Sequence, residues 1–464
     1  MDARGGSGVS GVAPRPVRSL LYFAAVLGIF LSTCSPASAL PAFARKYGMP
    51  CSSCHEAWPK LSPFGQQFKD NGYQMGNDRD APIFQSPAYW PVTFRITPQW
   101  HRESTNKVAV DQTASGEAQV TTHGFDWSGL DFHTAGTLAK DFSFYVLPSS
   151  DNTGAFHFEA VWARLDNIAG SSWLNIKLGK FELDNLLSEK RILTLTSISG
   201  VYTNYHFQPF ISPGVAETSY AFGIGDNQVG IEWLGHSKND RTRISASLLS
   251  SNDGSPGLPT SRGYDGFFAA SQAFQLGSLG LQRVGGFAYL GEAPTYFQFT
   301  SGGPTAGIPG TGIGNKGFQR YGLIGMWYIK KFDITTMYFH SRDDKTLATT
   351  TALTGTPPTL PAGARAPVWN GGLFESHYNL NPQLIFINRY ELVRMSQQVF
   401  SLNPSNLGNT DVLTFGVRYY PFISSRAGFA YHGEYAIIRQ RGASPVTNTD
   451  LVSSSLLLGF DFDF

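Results

Sequence analysis

From about residue 90 onward, apolar and polar residues alternate over short runs that are separated by turn-forming residues. In the first run, Val92, Phe94 and Ile96 are each followed by a polar residue. Because side chains on a strand alternate between its two faces, each run predicts a strand with one apolar and one mixed face. We expect about 16 true strands among the candidates near residues 91–103, 121–134, 141–149, 156–166, 173–182, 214–223, 227–236, 241–251, 263–275, 281–292, 317–330, 332–341, 369–379, 382–393, 411–420, 426–439 and 452–464.

The connections between these candidate strands are alternately short and long. Tight turns are predicted at residues 140–141, 331–333 and 379–381. Long connections rich in Gly, Thr, Pro and Ser are predicted at residues 104–120, 293–316 and 342–368. Tight turns on one rim and long loops on the other are typical of an outer-membrane barrel, whereas a soluble propeller would show a repeat of fixed period, which the sequence lacks.

The last candidate strand strengthens this interpretation. Its apolar residues alternate with small and acidic ones, and it ends on Phe464, which resembles the assembly signal of bacterial outer-membrane barrels. One face can then meet lipid while Asp461 and Asp463 face the lumen or the periplasmic rim. We predict an all-β fold, a transmembrane outer-membrane β-barrel of about 16 antiparallel strands over residues 90–464, closed because an open edge in hydrocarbon leaves backbone groups unpaired.

Composition fits a lipid environment better than water. The chain has 35 Phe, 20 Tyr, 9 Trp and 50 Gly, and charged residues make up 15%, against about 25% in typical soluble domains. No apolar run after the N-terminal region is long enough for a transmembrane helix. The net charge of +1, without a basic stripe, gives no indication of nucleic-acid binding.

The N-terminus has the pattern of a secretory signal peptide. Arginines precede an apolar run at Leu20–Leu31, and Ala37-Ser38-Ala39 is a small-residue cleavage site. Cys34 lies within this segment. The residue directly before it, Thr33, fits a lipoprotein signal poorly. We therefore predict that residues 1–39 form a signal peptide and that the protein is exported to the bacterial outer membrane.

Candidate chemistry is concentrated in Cys51-Ser52-Ser53-Cys54-His55, because Cys-x-x-Cys-His is the attachment signature of a c-type haem. Two thiols that add to the two vinyl groups must lie about one turn apart, and the adjacent histidine then faces the iron. A zinc site would need a second ligand pair, and a redox dithiol would be expected beside a βαβ pattern. The sequence has neither, so we predict one covalent haem c on Cys51 and Cys54, with His55 as its proximal ligand.

The region between this motif and the barrel, residues 40–89, is too small to bury much core by itself. Ser62-Pro63 is a good helix start and Asn71-Gly72 a good stop, which predicts a helix over residues 63–70. Phe64 and Phe68 would share a face of it, either covering a porphyrin or packing on the barrel wall. We predict a small α-helical haem c segment that plugs or adjoins the lumen, which is wide in a barrel of this size.

Residues 42–55, with the motif at their end, together with 61–69 and 71–75, resemble the N-terminus of the fused cytochrome-porin family, which includes outer-membrane iron oxidases of bacteria that live on ferrous iron. The barrel half resembles it only in size and pattern. The resemblance implies a single-haem cytochrome fused to a porin, with Cys51 and Cys54 as haem thioethers and His55 as the proximal ligand. The substrate does not follow from it.

The sixth haem ligand is open between several residues. Met75 follows the predicted helix, where the chain could fold back over the haem, and a thioether there would raise the reduction potential. His101 or His133 could supply an imidazole from the barrel wall, which would favour a lower potential. Water or an open position is the remaining alternative.

We expect an outer-membrane electron-transfer protein that oxidises an extracellular donor such as Fe(II) and reduces a periplasmic c-type cytochrome or another carrier. As an enzyme it would be an Fe(II):cytochrome c oxidoreductase. Two alternatives stay open at this point. One is a solute-conducting porin whose haem segment is a plug or regulator, and the other is a cytochrome that docks to a multihaem partner.

Overall fold

The computed structural model groups Leu40–Phe464 into one compact unit. Among the described residues, no helix is long and apolar enough to cross a membrane. The predicted signal peptide, the candidate strand at 214–223 and Phe464 lie outside the described residues. The structure describes residues 42–57, 60–75, 92–111, 113–150, 154–183, 227–250, 264–294, 296–300, 303–307, 315–342, 366, 368–395, 409–423, 428–442, 444, 446–447 and 449–463.

The N-terminal segment, residues 42–75, is built from short elements. They are a helix α1 (Ala42–Tyr47), a 3-10 turn (Cys51–Ser53), a hairpin of β1 (His55–Ala57) and β2 (Lys60–Leu61), and a helix α2 (Pro63–Asp70). Helix α2 matches the predicted bounds, because the Ser62 hydroxyl caps its start and Asn71 its end.

The rest of the described chain forms a closed antiparallel barrel of sixteen strands. Each strand pairs with its neighbour along the chain, and the last pairs with the first; β14 follows β11 because a small hairpin, β12 (Tyr296–Thr300) with β13 (Gly303–Gly307), lies between them. The barrel strands are β3 (Thr93–Ala109), β4 (Glu117–Ala139), β5 (Phe142–Ser150), β6 (Phe156–Leu165), β7 (Asn175–Phe181), β8 (Gln228–His236), β9 (Thr242–Leu249), β10 (Asp265–Gln275), β11 (Leu281–Pro294), β14 (Asn315–Ile329), β15 (Phe332–Arg342), β16 (Val368–Asn381), β17 (Leu384–Met395), β18 (Thr410–Ile423), β19 (Gly428–Gln440) and β20 (Leu451–Asp463).

The predicted barrel of about 16 antiparallel strands is confirmed, and every candidate strand except 214–223 corresponds to a barrel strand. That the N-terminal segment carries a haem stays a prediction. The barrel closes without the candidate at 214–223, because β7 pairs directly with β8. Short connections alternate with long ones as expected, although two tight turns lie at 330–331 and 382–383, slightly displaced from the prediction. We call the end with the short connections the short-turn end.

The prediction of a long connection at residues 104–120 was wrong. The structure continues β3 to Ala109 and begins β4 at Glu117, and Val108 pairs with Ala118. The polar sequence was read as a loop because it lacks alternation. Beyond the lipid, however, a two-stranded ribbon can keep its backbone hydrogen bonds without an apolar face.

The barrel wall is apolar outside and largely polar inside. On β16, Phe374 is 41% exposed, whereas its neighbours Glu375 and His377 are each 1% exposed. On β20, Leu458 and Phe460 are exposed while Asp461 and Asp463 are buried inside, as predicted. An apolar outward face with ionisable residues on the inward face is the pattern of a barrel that spans lipid.

An apolar layer interrupts the polar interior at mid-barrel. Its inward-facing side chains are buried and form one cluster with Phe68 and Tyr73 of the N-terminal segment. The N-terminal segment and the barrel therefore share a core. The wall members of this cluster include Phe267, Phe287, Ile324, Met337, Phe339, Leu373, Val393 and Val412.

Candidate functional site

The Cys-x-x-Cys-His motif forms one tight turn. Residues Cys51–Ser53 form a single 3-10 turn, closed by the Ser53 N–H donating to the Pro50 carbonyl over 3.0 Å. In such a helix, positions i and i+3 lie one above the other, so positions 51 and 54 are one turn apart. The side chain of Cys51 lies outside the described residues. The backbone therefore has the spacing that two thioether links require.

Helix α2 holds this turn in place by packing directly on it. The Ser62 hydroxyl donates to the Ser53 carbonyl over 3.1 Å, and the Ser62 N–H donates to the Cys54 carbonyl over 2.9 Å. A Cβ atom at Gly65 would lie 2.0 Å from the Cys54 carbonyl oxygen. Only glycine allows this approach, because backbone atoms cannot give way as a flexible side chain can.

The Cys54 thiol is half-buried by its neighbours. Burial raises the pKa of the Cys54 thiol to about 11. These surroundings favour the neutral thiol over the thiolate. Two thiols one turn apart and an adjacent imidazole fit covalent attachment of a c-type haem.

The N-terminal segment is bound to β15 and β16 by buried charges. The Lys60 ammonium contacts the Asp333 carboxylate, lies 3.3 Å from Glu56 Oε2 and lies 3.3 Å from His377 Nδ1. Burial by itself would lower the pKa of Lys60, but Asp333 and Glu56 outweigh burial and raise it. Lys60 is therefore a permanent cation enclosed by acceptors.

The interactions continue from Lys60 into the wall. His377 Nε2 lies 2.7 Å from Glu375 Oε1, and Arg389 Nε donates to Glu375 Oε2 over 2.6 Å. Buried charges are tolerated where each is paired and hydrogen-bonded. We call these six residues the ionic wall; they are Glu56, Lys60, Asp333, Glu375, His377 and Arg389.

Glu56, Asp333 and His377 have the geometry of a small metal site among the described residues, since their ligand atoms lie within 4.8 Å of one another. The Lys60 ammonium contacts all three and supplies the positive charge that a metal ion would bring. The cluster therefore acts as an attachment point neutralised by lysine.

On the other side of the lumen, the attachment is aromatic. The Tyr73 ring stacks on Trp162 of β6 at a centroid distance of 6.1 Å, and Trp162 stacks on Tyr145 at 5.9 Å. Tyr73 has a φ of 60°, which is rare for a bulky residue, so its packing holds it in a strained conformation. On the segment side, Phe43 stacks on Tyr73 at 5.1 Å. We call Tyr73, Trp162 and Tyr145 the aromatic wall.

The two attachments lie across the barrel from each other. Along the closed strand order from β6 to β16, the steps are β7, β8, β9, β10, β11, β14, β15 and β16, half of the sixteen strands. Between them, Arg243 Nε of β9 lies 3.0 Å from Asp70 Oδ2, and the Lys69 ammonium donates to Glu182 over 3.0 Å. The N-terminal segment therefore spans the lumen from one side of the barrel to the other.

The contacts of the segment with Asp333 and Arg243 lie near the mouth of the lumen at the short-turn end. Asp333 follows the turn at 330–331 by two residues, and Arg243 follows the connection at 237–241 by two residues.

Of the two predicted aromatic residues of α2, Phe68 is buried in the shared core, whereas Phe64 is 40% exposed. Phe68 thus packs the segment on its neighbours, and the two rings do not act as one face.

The candidate sixth ligands lie in three different surroundings. Met75 packs against the shared core. His133 Nδ1 lies 3.0 Å from the Tyr145 hydroxyl, beside the aromatic wall, and His101 Nδ1 lies 3.7 Å from Asp126 Oδ2. None of these contacts tests ligation, so the choice among them stays a prediction.

The sequence did not point to the wall residues that bind the segment. Buried inward positions of β15, β16 and β17 are occupied by Asp333, Glu375, His377 and Arg389. Charged residues at inward positions of alternating strands were the available signal. Their pairing with Lys60, separated from Asp333 by 273 residues, could not be read from the strand pattern.

No protein-family model matches the chain, and no curated protein matches it. Among solved structures, an anion-selective porin from Comamonas acidovorans is 10% identical, with 80% of this chain and 99% of that chain covered at a TM-score of 0.49. A loop L8 deletion mutant of OmpT, an outer membrane protein of Vibrio cholerae, is 13% identical, with 81% and 100% covered at a TM-score of 0.45. Salmonella typhi OmpF in complex with daunomycin is 9% identical, with 83% and 99% covered at a TM-score of 0.41. Similarity at this level carries no conclusion about function, which has to come from the site itself.

Proposed function

We propose that this protein transfers electrons across the bacterial outer membrane through one covalent haem c, on Cys51 and Cys54 with His55 as the proximal ligand. The observation that carries the proposal is the Cys-x-x-Cys-His turn, clamped by α2 inside the mouth of a membrane-type barrel. The resemblance to fused cytochrome-porins supports the same function. The electron donor we propose is extracellular, such as Fe(II), and the acceptor is a periplasmic cytochrome or another soluble carrier.

The thickness of the membrane explains why a haem inside the barrel would be useful for electron transfer. A hydrocarbon layer of about 25–30 Å is too thick for an electron to cross in one step. A bound haem would supply a one-electron acceptor that can be reduced and reoxidised. Residues 42–75 would hold it inside the lumen, and attachment at two opposite sides of the barrel would keep its position constant.

Each group of residues has its own role in this proposal. Ser62 and Gly65 hold the turn that presents the thiols. Lys60 and the ionic wall fix the segment to one side of the barrel, and Tyr73 with Trp162 fixes it to the other. The buried apolar layer at mid-barrel excludes water from the space next to the segment.

The test compares a double variant, Cys51→Ser with Cys54→Ser, with a matched control in the same motif, Ser52→Ala with Ser53→Ala. Both are reconstituted in vesicles that enclose an oxidised soluble cytochrome, and Fe(II) is added outside. We expect the control to show a haem c spectrum and reduction of the enclosed cytochrome. The cysteine variant should insert as a folded barrel that lacks both. Full electron transfer without the cysteines would overturn the proposal.

A second candidate function is a solute-conducting porin in which the N-terminal segment is a plug or regulator. The closed barrel with ionisable inward residues favours it. The two functions differ in conductance, since the segment spans the lumen and the mid-barrel lining is buried. Planar-bilayer recording of the purified protein decides between them, because electron transfer predicts no steady solute conductance.

A further inference from the structure

The exposed face of the N-terminal segment carries no charge among its described side chains. Of its described charged side chains, Lys60 and Glu56 lie in the ionic wall, and Lys69 and Asp70 pair with Glu182 and Arg243. Lys46 is half-buried, with its ammonium 5.1 Å from the centre of the Tyr47 ring. Among the side chains of the segment that the structure describes, the exposed ones are uncharged, namely Gly48, Pro50, Ser52, Pro63, Phe64 and Gln67. Ser52 lies within the haem-attachment motif, so this uncharged face surrounds it.

The turns that ring the same mouth have the opposite character. In the described part of the short connections, each exposed ionisable residue is basic; these are Lys140, Lys238, Arg241, Lys330 and Lys331. We call these five residues the basic rim.

The acidic residues of the same connections are turned inward and bonded. Asp166 and Asp240 are buried, with Arg164 Nε donating to Asp166 over 2.6 Å and Arg243 Nε donating to Asp240 over 2.8 Å. Asp141 is half-buried and accepts from the Asn167 amide over 3.0 Å. They therefore add little negative charge to the exposed surface of the rim.

We propose that the short-turn end is a docking face for a small soluble electron carrier whose redox centre lies under an uncharged patch ringed by acidic residues. The inference rests on the proposed electron-transfer function and names the partner's surface. Opposite charges at the rim steer the two proteins together, while the uncharged centre avoids desolvating charges where the redox centres must approach. Transient redox complexes are small, so a patch confined to one mouth is sufficient.

An anionic lipid surface is the other possible partner of the basic rim. Lipid headgroups can reach the turns from outside the barrel. They do not reach the segment, which lies inside the ring of strands, so they leave the uncharged face around Ser52 and Phe64 without a role. The soluble carrier accounts for both features.

The experiment measures electron transfer by stopped-flow spectroscopy from the reduced protein, in nanodiscs of zwitterionic lipid, to two soluble probes. One probe is a small blue copper protein with an acidic patch, and the other is a cytochrome c ringed by lysines. We expect the second-order rate constant to fall about tenfold for the acidic probe between low salt and about 0.5 M salt. For the basic probe it should rise, because salt screens repulsion. The sign of each slope does not depend on driving force.

Substitutions test whether the basic rim and the uncharged face cause these changes in the electron-transfer rate. The double charge reversal Lys238→Glu with Lys330→Glu should slow the acidic probe at least fivefold at low salt and leave its high-salt rate unchanged. Lys107→Glu, at the opposite end of the barrel, is the matched control and should have no effect. Phe64→Asp should slow the acidic probe at all salt concentrations by more than the change in its measured reduction potential accounts for, while the haem spectrum stays unchanged.

Three results would overturn the inference: rates independent of salt, a faster acidic probe after the charge reversal, or an effect of the reversal only on binding to anionic vesicles. The last would assign the basic rim to lipid. Failure of the proposed function is distinguishable, because it appears earlier, as a purified protein without a haem spectrum.

Discussion

The N-terminal segment is bound to the barrel by two kinds of chemistry on opposite sides of one lumen. On the ionic wall, Lys60 meets Asp333 and His377 in a place closed to water. On the aromatic wall, Tyr73 stacks on Trp162. A buried ion pair fails badly when one partner is removed, because the other charge is left uncompensated, whereas stacked rings lose energy gradually with contact area. We therefore expect the ionic side to determine whether the segment stays in place and the aromatic side to adjust its orientation.

The largest effect should come from Lys60→Met. This change leaves buried Asp333 without its cation and should destabilise the attachment by about 3–5 kcal/mol. Amide hydrogen exchange of residues 60–75 in nanodiscs measures the loss as faster local opening. The control is Lys60→Met combined with Asp333→Asn, which removes both charges and should recover part of the protection. Equal exchange in the single variant and the unchanged protein would contradict the importance of the ionic wall.

A smaller effect is expected from Trp162→Leu, on the aromatic wall. The change removes two stacked contacts but keeps an apolar side chain, so the loss should be about 1–3 kcal/mol. The same exchange measurement applies. Trp100→Leu is the matched control, since Trp100 pairs with the outward-facing Leu458 and should not affect the segment. If both tryptophan variants gave the same exchange rates, the aromatic wall would have no specific role.

The combination of Lys60→Met and Trp162→Leu tests whether the two walls act independently. They lie on opposite sides of the barrel and share no partner, so their effects should add to within about 0.5 kcal/mol. A larger deviation in the double variant would show that the segment moves as one rigid body, so that loss of either attachment already releases the other.

The smallest perturbation uses Cys54 as a probe in haem-free, full-length protein carrying Cys51→Ser. A raised thiol pKa keeps the neutral form present to higher pH, so alkylation should stay slow at pH 8 and accelerate only as the pH approaches about 11. Relative to a thiol at the ordinary pKa, the rate at pH 8 should be on the order of 100-fold lower. Lys60→Met in the same background should restore faster alkylation if the segment has left the lumen. Ordinary reactivity in the parent variant would show that Cys54 is not enclosed.

Much of this architecture could be predicted from local patterns. Period-two alternation located the barrel strands because each residue's face follows from its position along the strand. Helix α2 could be predicted because Ser62, Pro63 and Asn71 act on backbone groups within one turn of themselves. The ribbon formed by β3 and β4 beyond the lipid was missed because polar strands that pair outside the membrane show no alternation.

The sequence by itself determined a barrel with an apolar outside and a polar inside, a capped helix and a Cys-x-x-Cys-His turn, because these depend on neighbours a few residues away. Only the tertiary structure decided what the segment touches. Lys60 and Asp333 are 273 residues apart, and their meeting depends on the register of sixteen strands around a closed ring. The same closure brings β6 and β16 to opposite sides of one lumen, so that one short segment can be bound by charge on one side and by stacked rings on the other.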